Sequence, residues 1–197
     1  GVDLSEITDP TSVSIVWKLP EGVYYVRSKA WVCNKGIENR KNNKGMTEKF
    51  DQYVKAGDMV ATDGDMIDRD AVRGHILDLC QTYRVGSVNF DPRGAAVLSL
   101  DIENEGYTCH TYAQNFRHFN GPMVAFEQAW REGRVFHDGS GWLRYTLSNV
   151  RVETNKYGEI RPYRKKSVDV IDGAVSTLLA FVSHLSDTTV GGSVFST

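Results

Sequence analysis

Along the first third of the chain, apolar and polar positions alternate with a period of two. Val13, Ile15, Trp17 and Leu19 are separated by smaller or polar residues, as in a half-buried strand. Pro20, Glu21 and Gly22 signal a turn, and residues 23–32 read as the returning strand. With residues 1–4 as a preceding strand, the chain opens as an antiparallel meander of three strands. Residues 34–45 are polar, contain Asn and Gly, and read as a loop. The pattern then predicts helices over 47–55, ended by Gly57, and from a capping Asp68 to about Tyr83, where Val72, Ile76, Leu79 and Tyr83 recur at helical spacing. Further on it predicts a strand over 87–91, a helix from 93 to about 105 closed by Gly106, and a strand over 107–112. Helices follow over 122–132, closed by Gly133, and 141–148. Residues 149–164 have β character around Lys156, Tyr157 and Gly158, a basic hairpin. Ser167 reads as the N-cap of a last helix whose apolar stripe is Ile171, Val175, Leu178, Leu179, Val182 and Leu185. Residues 186–197 read as a flexible tail. This order is α/β with a mixed sheet, in which the 87–91 strand is a parallel neighbour of the first strand.

The chain has 197 residues, which at roughly 150 per domain allows one large domain, or one domain plus a small attachment. With 41% hydrophobic and 24% charged residues, it is neither disordered nor a disulfide scaffold. The longest apolar run is about five residues, 178–182, far short of the roughly 18 of a membrane span. The sequence opens Gly1-Val2-Asp3 without an initiator Met, a basic start or an apolar stretch, so the expectation is no signal peptide and a piece cut from a longer protein. Cys33, Cys80 and Cys109 have no metal-ligand spacing and read as reduced, mostly buried thiols.

The net charge of -2 does not advertise a nucleic-acid binder, but the charges are segregated. Residues 151–166 carry a net +4 and residues 34–44 a net +3, whereas 58–80 are acidic. Each such run is also what an ordinary solvated face looks like. Three acidic residues have a more informative context. Asp3 lies in an apolar first strand, Asp91 ends a strand and precedes Pro92, and Asp172 lies at the edge of the last helix's apolar stripe, about 80° from its centre. Asp169 points away from that stripe, and a favourable interaction with the helix dipole explains it. Carboxylates that converge repel one another and persist together only with a cation or a shared proton. Oxygen ligands without a His or Cys cluster favour Mg²⁺ or Mn²⁺ over zinc, and such a site suits phosphoryl chemistry.

An ordered set of short motifs, over roughly 1–184, makes the chain resemble the C-terminal nuclease domain of the terminase large subunit of tailed bacteriophages. The likeness extends to the subgroup typified by phage HK97. The motifs are Gly1-Val2-Asp3-Leu4-Ser5 with Asp9 and Thr11, Gly57 to Gly64 with Thr62, and Phe90-Asp91-Pro92. They continue with Gln114, Glu132 to His137, Ser148-Asn149-Val150, Lys165-Lys166 and Ile171-Asp172-Gly173. Each is weak alone; their order and spacing carry the resemblance.

The resemblance implies an RNase H-like fold: a central mixed sheet of five or more strands flanked by helices, with an added β-hairpin before the last helix. It implies a nuclease domain over 1–185, with the hairpin at about 150–164, a tail over 186–197, and an N-terminal ATPase domain outside this chain. No phosphate-binding G-x-x-x-x-G-K-[ST] loop occurs here. The implied activity is an endonuclease that cleaves concatemeric double-stranded DNA during viral genome packaging, by attack of a metal-activated water on a phosphodiester. Asp3, Asp91 and Asp172 map to the catalytic and metal-binding cluster, with Asp9 as an auxiliary carboxylate, for Mg²⁺ or Mn²⁺, expected as two ions. Arg151, Lys156, Arg161, Arg164, Lys165 and Lys166 are the DNA-binding candidates, of which Lys165 or Lys166 is placed to touch the scissile phosphate. The implied partners are double-stranded DNA, the ATPase domain, the small terminase subunit and the portal, with no membrane, in the host-cell cytoplasm. His137 reads as an ordinary turn histidine, and Tyr112 and Trp142 as core or rim residues. The alternatives are another RNase H-like nuclease of the resolvase or transposase type, or a non-catalytic module that docks on DNA or the portal.

Overall fold

The computed structural model of the chain describes residues 1–5, 9–38, 44–167 and 169–186. The opening meander is formed by β1 (Val2–Asp3), β2 (Thr11–Lys18) and β3 (Tyr24–Cys33), paired antiparallel in that order. Next come α1 (Asn34–Glu38), α2 (Lys44–Ala56), β4 (Met59–Thr62) and α3 (Arg69–Thr82). The middle of the chain supplies β5 (Val88–Phe90), α4 (Ala96–Asn104), β6 (Cys109–Thr111), α5 (Phe116–Arg131), β7 (Val135–His137) and α6 (Gly141–Asn149). The hairpin β8 (Val152–Thr154) and β9 (Ile160–Pro162) then leads to α7 (Asp172–Ser186).

Among the described residues the main sheet has seven strands in the order β4-β3-β2-β1-β5-β6, and β7 also pairs with β3. β5 runs parallel to β1, and β6 parallel to β5. The ten-residue β3 takes β4 along 30–33 and β7 along 24–26, both parallel. Neither β4 nor β7 is legible as a strand in the sequence; they are four and three residues long, and pairing to the long β3 makes them strands. Residues 34–38, expected as loop, form the short helix α1, and 39–43 lie outside the described residues. The helix expected over 122–132 begins six residues earlier, because Asn115 Oδ1 accepts the His118 amide and caps it; Pro122 is buried inside the helix. Ser167 does not cap α7. It closes the 3-10 turn at 164–166, and α7 starts at Asp172. The expected tail beyond Ser186 lies outside the described residues.

Helices cover both faces of the sheet. α3 and α4 close one core around Trp31, Val72, Ile76, Phe90 and Ile102; α5, α6 and α7 close the other around Val26, Phe119, Leu143, Val175 and Phe181. The strand alternation of β2 is therefore not a division between core and solvent. Val13 packs toward α3, while Ser12 and Ser14, on the opposite face, are as buried as the core. They are tolerated because their hydroxyls are satisfied. Ser14 Oγ lies 2.7 Å from Ser176 Oγ on α7 and donates to Ser28 Oγ at 2.9 Å, and Trp142 Nε1 donates to Ser12 Oγ at 3.3 Å.

This contact brings α7 unusually close to the sheet. A Cβ at Gly1 would lie 2.0 Å from the Ser176 carbonyl oxygen; one at Gly173 would lie 2.6 Å from Thr146 Oγ1 and 2.8 Å from Trp142 Nε1. Gly173 follows Asp172 directly, so the same approach positions that carboxylate.

Two outcomes are expected. Gly173→Ala overpacks the α6–α7 contact and lowers stability by about 1–3 kcal/mol, read from urea unfolding midpoints. His75, against Trp31 at 5.0 Å between ring centroids, has its pKa lowered to about 4, first by burial and then by Lys29 and Arg27, with Asp78 opposing. The unfolded chain then binds more protons than the folded one between about pH 6.5 and 4, so stability is full above that window and falls as pH drops through it. His75→Gln should lose less stability than the unmodified chain between pH 7 and 5 in the same unfolding assay.

Candidate functional site

Parallel pairing of β1 with β5 sets Val2 opposite Phe90, so Asp3 and Asp91 emerge side by side at the carboxyl ends of adjacent strands. The Asp91 amide donates to the Val2 carbonyl at 3.3 Å and holds this register one residue further. Such strand ends are where open α/β sheets place their ligands. Asp91 Oδ1 accepts the Arg93 amide at 2.8 Å, which fixes the tight Asp-Pro turn that leads into α4. Asp172, the first residue of α7, arrives from the helix layer, at the end of the helix dipole that favours negative charge. Asp9 reaches the same place through the loop after β1, anchored where Thr11 Oγ1 accepts the Ser5 amide and donates to the Ser5 carbonyl.

All four carboxylates line one cavity of about 720 Å³, together with Arg69, Arg93, Gln114 and Arg164. Asp3 and Asp172 are buried. Arg164, in the turn between the hairpin and α7, bridges them: Nη2 donates to Asp3 Oδ2 at 2.5 Å and Nη1 to Asp172 Oδ1 at 3.0 Å. Burial raises the Asp3 pKa well above the carboxylate range, Arg164 opposes it, and Asp172 and Asp91 add to the rise. Asp172 is raised for the same reasons, burial first, with Arg164 opposing and Asp9 adding. Burial acts to lower the Arg164 pKa, but the attraction of Asp3, Asp172 and Asp9 outweighs it and the pKa is raised.

The four carboxylates thus share a cavity, but among the described residues no three His, Cys, Asp or Glu side chains are set as a ready metal cage. The Arg164 guanidinium, a cation, lies between Asp3 and Asp172. The donor chemistry nevertheless fits a hard divalent ion: every acidic group is an oxygen donor, and Asp172 Oδ2 is buried with no hydrogen-bond partner.

The basic candidates divide by what they touch. Arg161 is a brace. It pairs with Glu153 at 2.7 Å, donates to the Gln114 carbonyl at 3.3 Å, and lies 4.7 Å over the Phe116 ring. Arg164 belongs to the acidic cluster rather than to an open basic face. Arg151, Lys156 and Lys165 are exposed; Arg151 donates to the Ser148 and Val150 carbonyls, and Lys156 lies 4.8 Å over the Tyr157 ring. The Lys166 side chain lies outside the described ones.

Elsewhere the sequence's charge runs have local duties. Asp58 Oδ2 accepts the Gly141 and Trp142 amides and caps α6 from a distance, Asp68 caps α3, and Lys35 pairs with Asp65 at 3.3 Å. Asp169 accepts the Tyr145 hydroxyl at 2.9 Å and lies before α7 rather than on it. Trp142 is fully buried, and His137 Nδ1 accepts the Gly139 amide within its turn. Cys33 and Cys80 are buried and outside any disulfide, whereas Cys109 is partly exposed. Arg69 and Arg93, which line the acidic cavity, went unnoticed in the sequence: a lone arginine beside a cap or turn carries no local signal.

A family model, terminase large subunit, endonuclease domain, matches residues 1–187. The chain belongs to this family. It is 24% identical over 197 residues to the terminase large subunit of Enterobacteria phage HK97, covering 99% of this chain and 39% of that protein. Protein YmfN of Escherichia coli (strain K12) is 27% identical over 161 residues, 80% of this chain and 35% of YmfN. The terminase large subunit of Lactococcus phage p2 is 24% identical, covering 95% and 35%. The chain therefore spans between a third and two-fifths of these relatives' length. The crystal structure of the HK97 large terminase superposes with a TM-score of 0.81 at 23% identity, covering 93% of this chain and 38% of that one. The fold is thus RNase H-like, with the mixed central sheet, flanking helices and hairpin before the last helix that the sequence implied. Among the described residues no helix is long and apolar enough to cross a membrane.

Proposed function

We infer that this domain, spanning residues 1–185, is the metal-dependent endonuclease of a DNA-packaging terminase, cutting concatemeric double-stranded DNA when packaging starts and ends. One observation carries this reading: four carboxylates from separate parts of a terminase-family chain line one cavity at the carboxyl ends of β1 and β5. Asp3, Asp91 and Asp172, assisted by Asp9, would hold Mg²⁺ or Mn²⁺, and two ions suit the number of oxygen donors. When bound, the ions activate water and stabilise the charge that develops on the phosphate.

The chain's own residues supply position and charge. Asp91 is held by the Arg93 amide, so one of its oxygens is fixed and the carboxylate keeps its aim. Arg69 and Arg93 lie on the cavity wall and offer guanidinium contacts to backbone phosphates next to the scissile one. The exposed hairpin cations Arg151 and Lys156, with Lys165, extend this basic surface along the duplex. Such contacts hold DNA with little sequence preference and with strong dependence on salt. Lys166 is the further candidate beside the scissile phosphate. Arg161 serves DNA indirectly, by tying the two hairpin strands together through Glu153 and the hairpin to the Gln114 carbonyl. In the intact protein the partners are the ATPase domain, the small terminase subunit and the portal, and the setting is the host-cell cytoplasm.

Supercoiled plasmid should be nicked and linearised with Mn²⁺ or Mg²⁺ and left intact in EDTA. Asp91→Asn keeps an oxygen for the Arg93 amide but removes the charge, so it should fold normally and lose cutting. A folded domain that binds DNA and metal without cutting would mean that the ATPase domain gates activity. One that binds no metal would leave a docking module. In titrations of a duplex in EDTA over a range of salt, Lys156→Ala should weaken binding to all sequences alike and reduce the slope of log affinity against log salt by about 0.9.

A further inference from the structure

Arg164 sits where the acidic cluster needs positive charge. Two of its nitrogens reach Asp3 and Asp172, and its Nε donates to Gln114 Oε1 at 3.4 Å. The two carboxylate side chains keep 4% and 3% of their exposure, so without a cation between them their charges would be uncompensated. Arg164 keeps 40% and enters from the solvent side, on a three-residue 3-10 turn rather than on the sheet. Its guanidinium is a planar fork and leaves Asp172 Oδ2 without a partner, an oxygen that a divalent ion with its waters would satisfy. It holds the cluster, but incompletely, and it has an open way out.

Resting on the metal-dependent reading above, we propose that Arg164 is an internal cation that closes the site at rest and is displaced as divalent ions load. The released guanidinium stands at the base of the hairpin, on the rim of the cavity, where a backbone phosphate is its next anionic partner. Metal loading and the grip on DNA are then coupled through one side chain: a phosphate that takes Arg164 makes the carboxylates easier to load, and an empty site withholds the arginine from DNA. Gln114, which follows β6, steadies the closed position. Arg164 is a positioning residue in this scheme and takes no part in bond breaking.

The test uses the whole chain without DNA. Mn²⁺ binding is measured by calorimetry for the unmodified protein, Arg164→Gln and Arg164→Lys at one ionic strength, with thermal melting in EDTA and in saturating Mn²⁺. Arg164→Gln should melt lower in EDTA, because two buried carboxylates lose their cation. It should also bind Mn²⁺ about tenfold more tightly, the equivalent of one hydrogen bond to a charged group no longer broken. Its gain in melting temperature on adding Mn²⁺ should exceed that of the unmodified protein. Arg164→Lys keeps the charge without the fork, should fall between the two, and carries the comparison if the Gln variant does not fold in EDTA. A purely structural brace would lower the melting temperature and leave Mn²⁺ affinity unchanged or weaker, and that result overturns the proposal while the metal-dependent reading stands. Failure of all three folded proteins to bind Mn²⁺ overturns both.

Discussion

The close approach of α7 to the sheet is the contact on which the site depends. A helix carrying large side chains on this face would stand farther off, and Asp172 would stand off with it. Glycine and small hydroxyl residues let the backbone in: Gly173 against Thr146 and Trp142, Ser176 against Ser14, and Thr177 Oγ1 donating to Ser14 Oγ at 3.1 Å. Burying so many hydroxyls is tolerable only because they bond to one another and to carbonyls, as when Thr177 Oγ1 lies 2.8 Å from the Gly173 carbonyl. The network links β2, β3, α6 and α7, so the acidic residue at the head of α7 is placed by the packing of the helix's first two turns as well as by its own contact with Arg164.

That placement creates an electrostatic problem that the rest of the site answers. Asp3 and Asp172 are buried, near each other, and within the influence of Asp91 and Asp9. A hydrophobic pair would be more stable there, so the carboxylates stand where function needs them at a cost in stability. Arg164 offsets part of that cost. Its position on a short turn means that the hairpin and the helix that bears Asp172 meet at this residue. The hairpin is itself held to the body by Arg161, by the Asn120 side chain accepting the Ile160 amide, and by contact with α5. Of the residues in one basic run, some are therefore structural and some are available to a polyanion, a division that charge counting does not reveal.

Much of this was legible in the sequence. The meander followed from alternation in 13–19 and the turn at 20–22, and the parallel 87–91 strand from its apolar run. Asp3, Asp91 and Asp172 stand out in the sequence by local context, and the packed fold brings them to one cavity; the family and the fold that the ordered motifs imply are the ones found. Short elements were not legible. β4 and β7 become strands only because β3 is long enough to pair with both, and α5 starts at Phe116 because the Asn115 side-chain cap outweighs the signal of Pro122.

The sequence by itself determined which residues carry charge, which runs alternate, and in what order the acidic positions occur, since these are properties of neighbouring residues. Tertiary structure alone decided three things. The polar face of β2 is buried rather than wet, because hydroxyls on α7 satisfy it. Arg164 joins the acidic cluster while Arg161 braces the hairpin, although only two residues separate them in one basic run. Arg69, Arg93 and Gln114 share the cavity with the four carboxylates. Each rests on contacts between residues far apart along the chain, and the energy of such a contact depends on distance and burial, which only the packed fold sets.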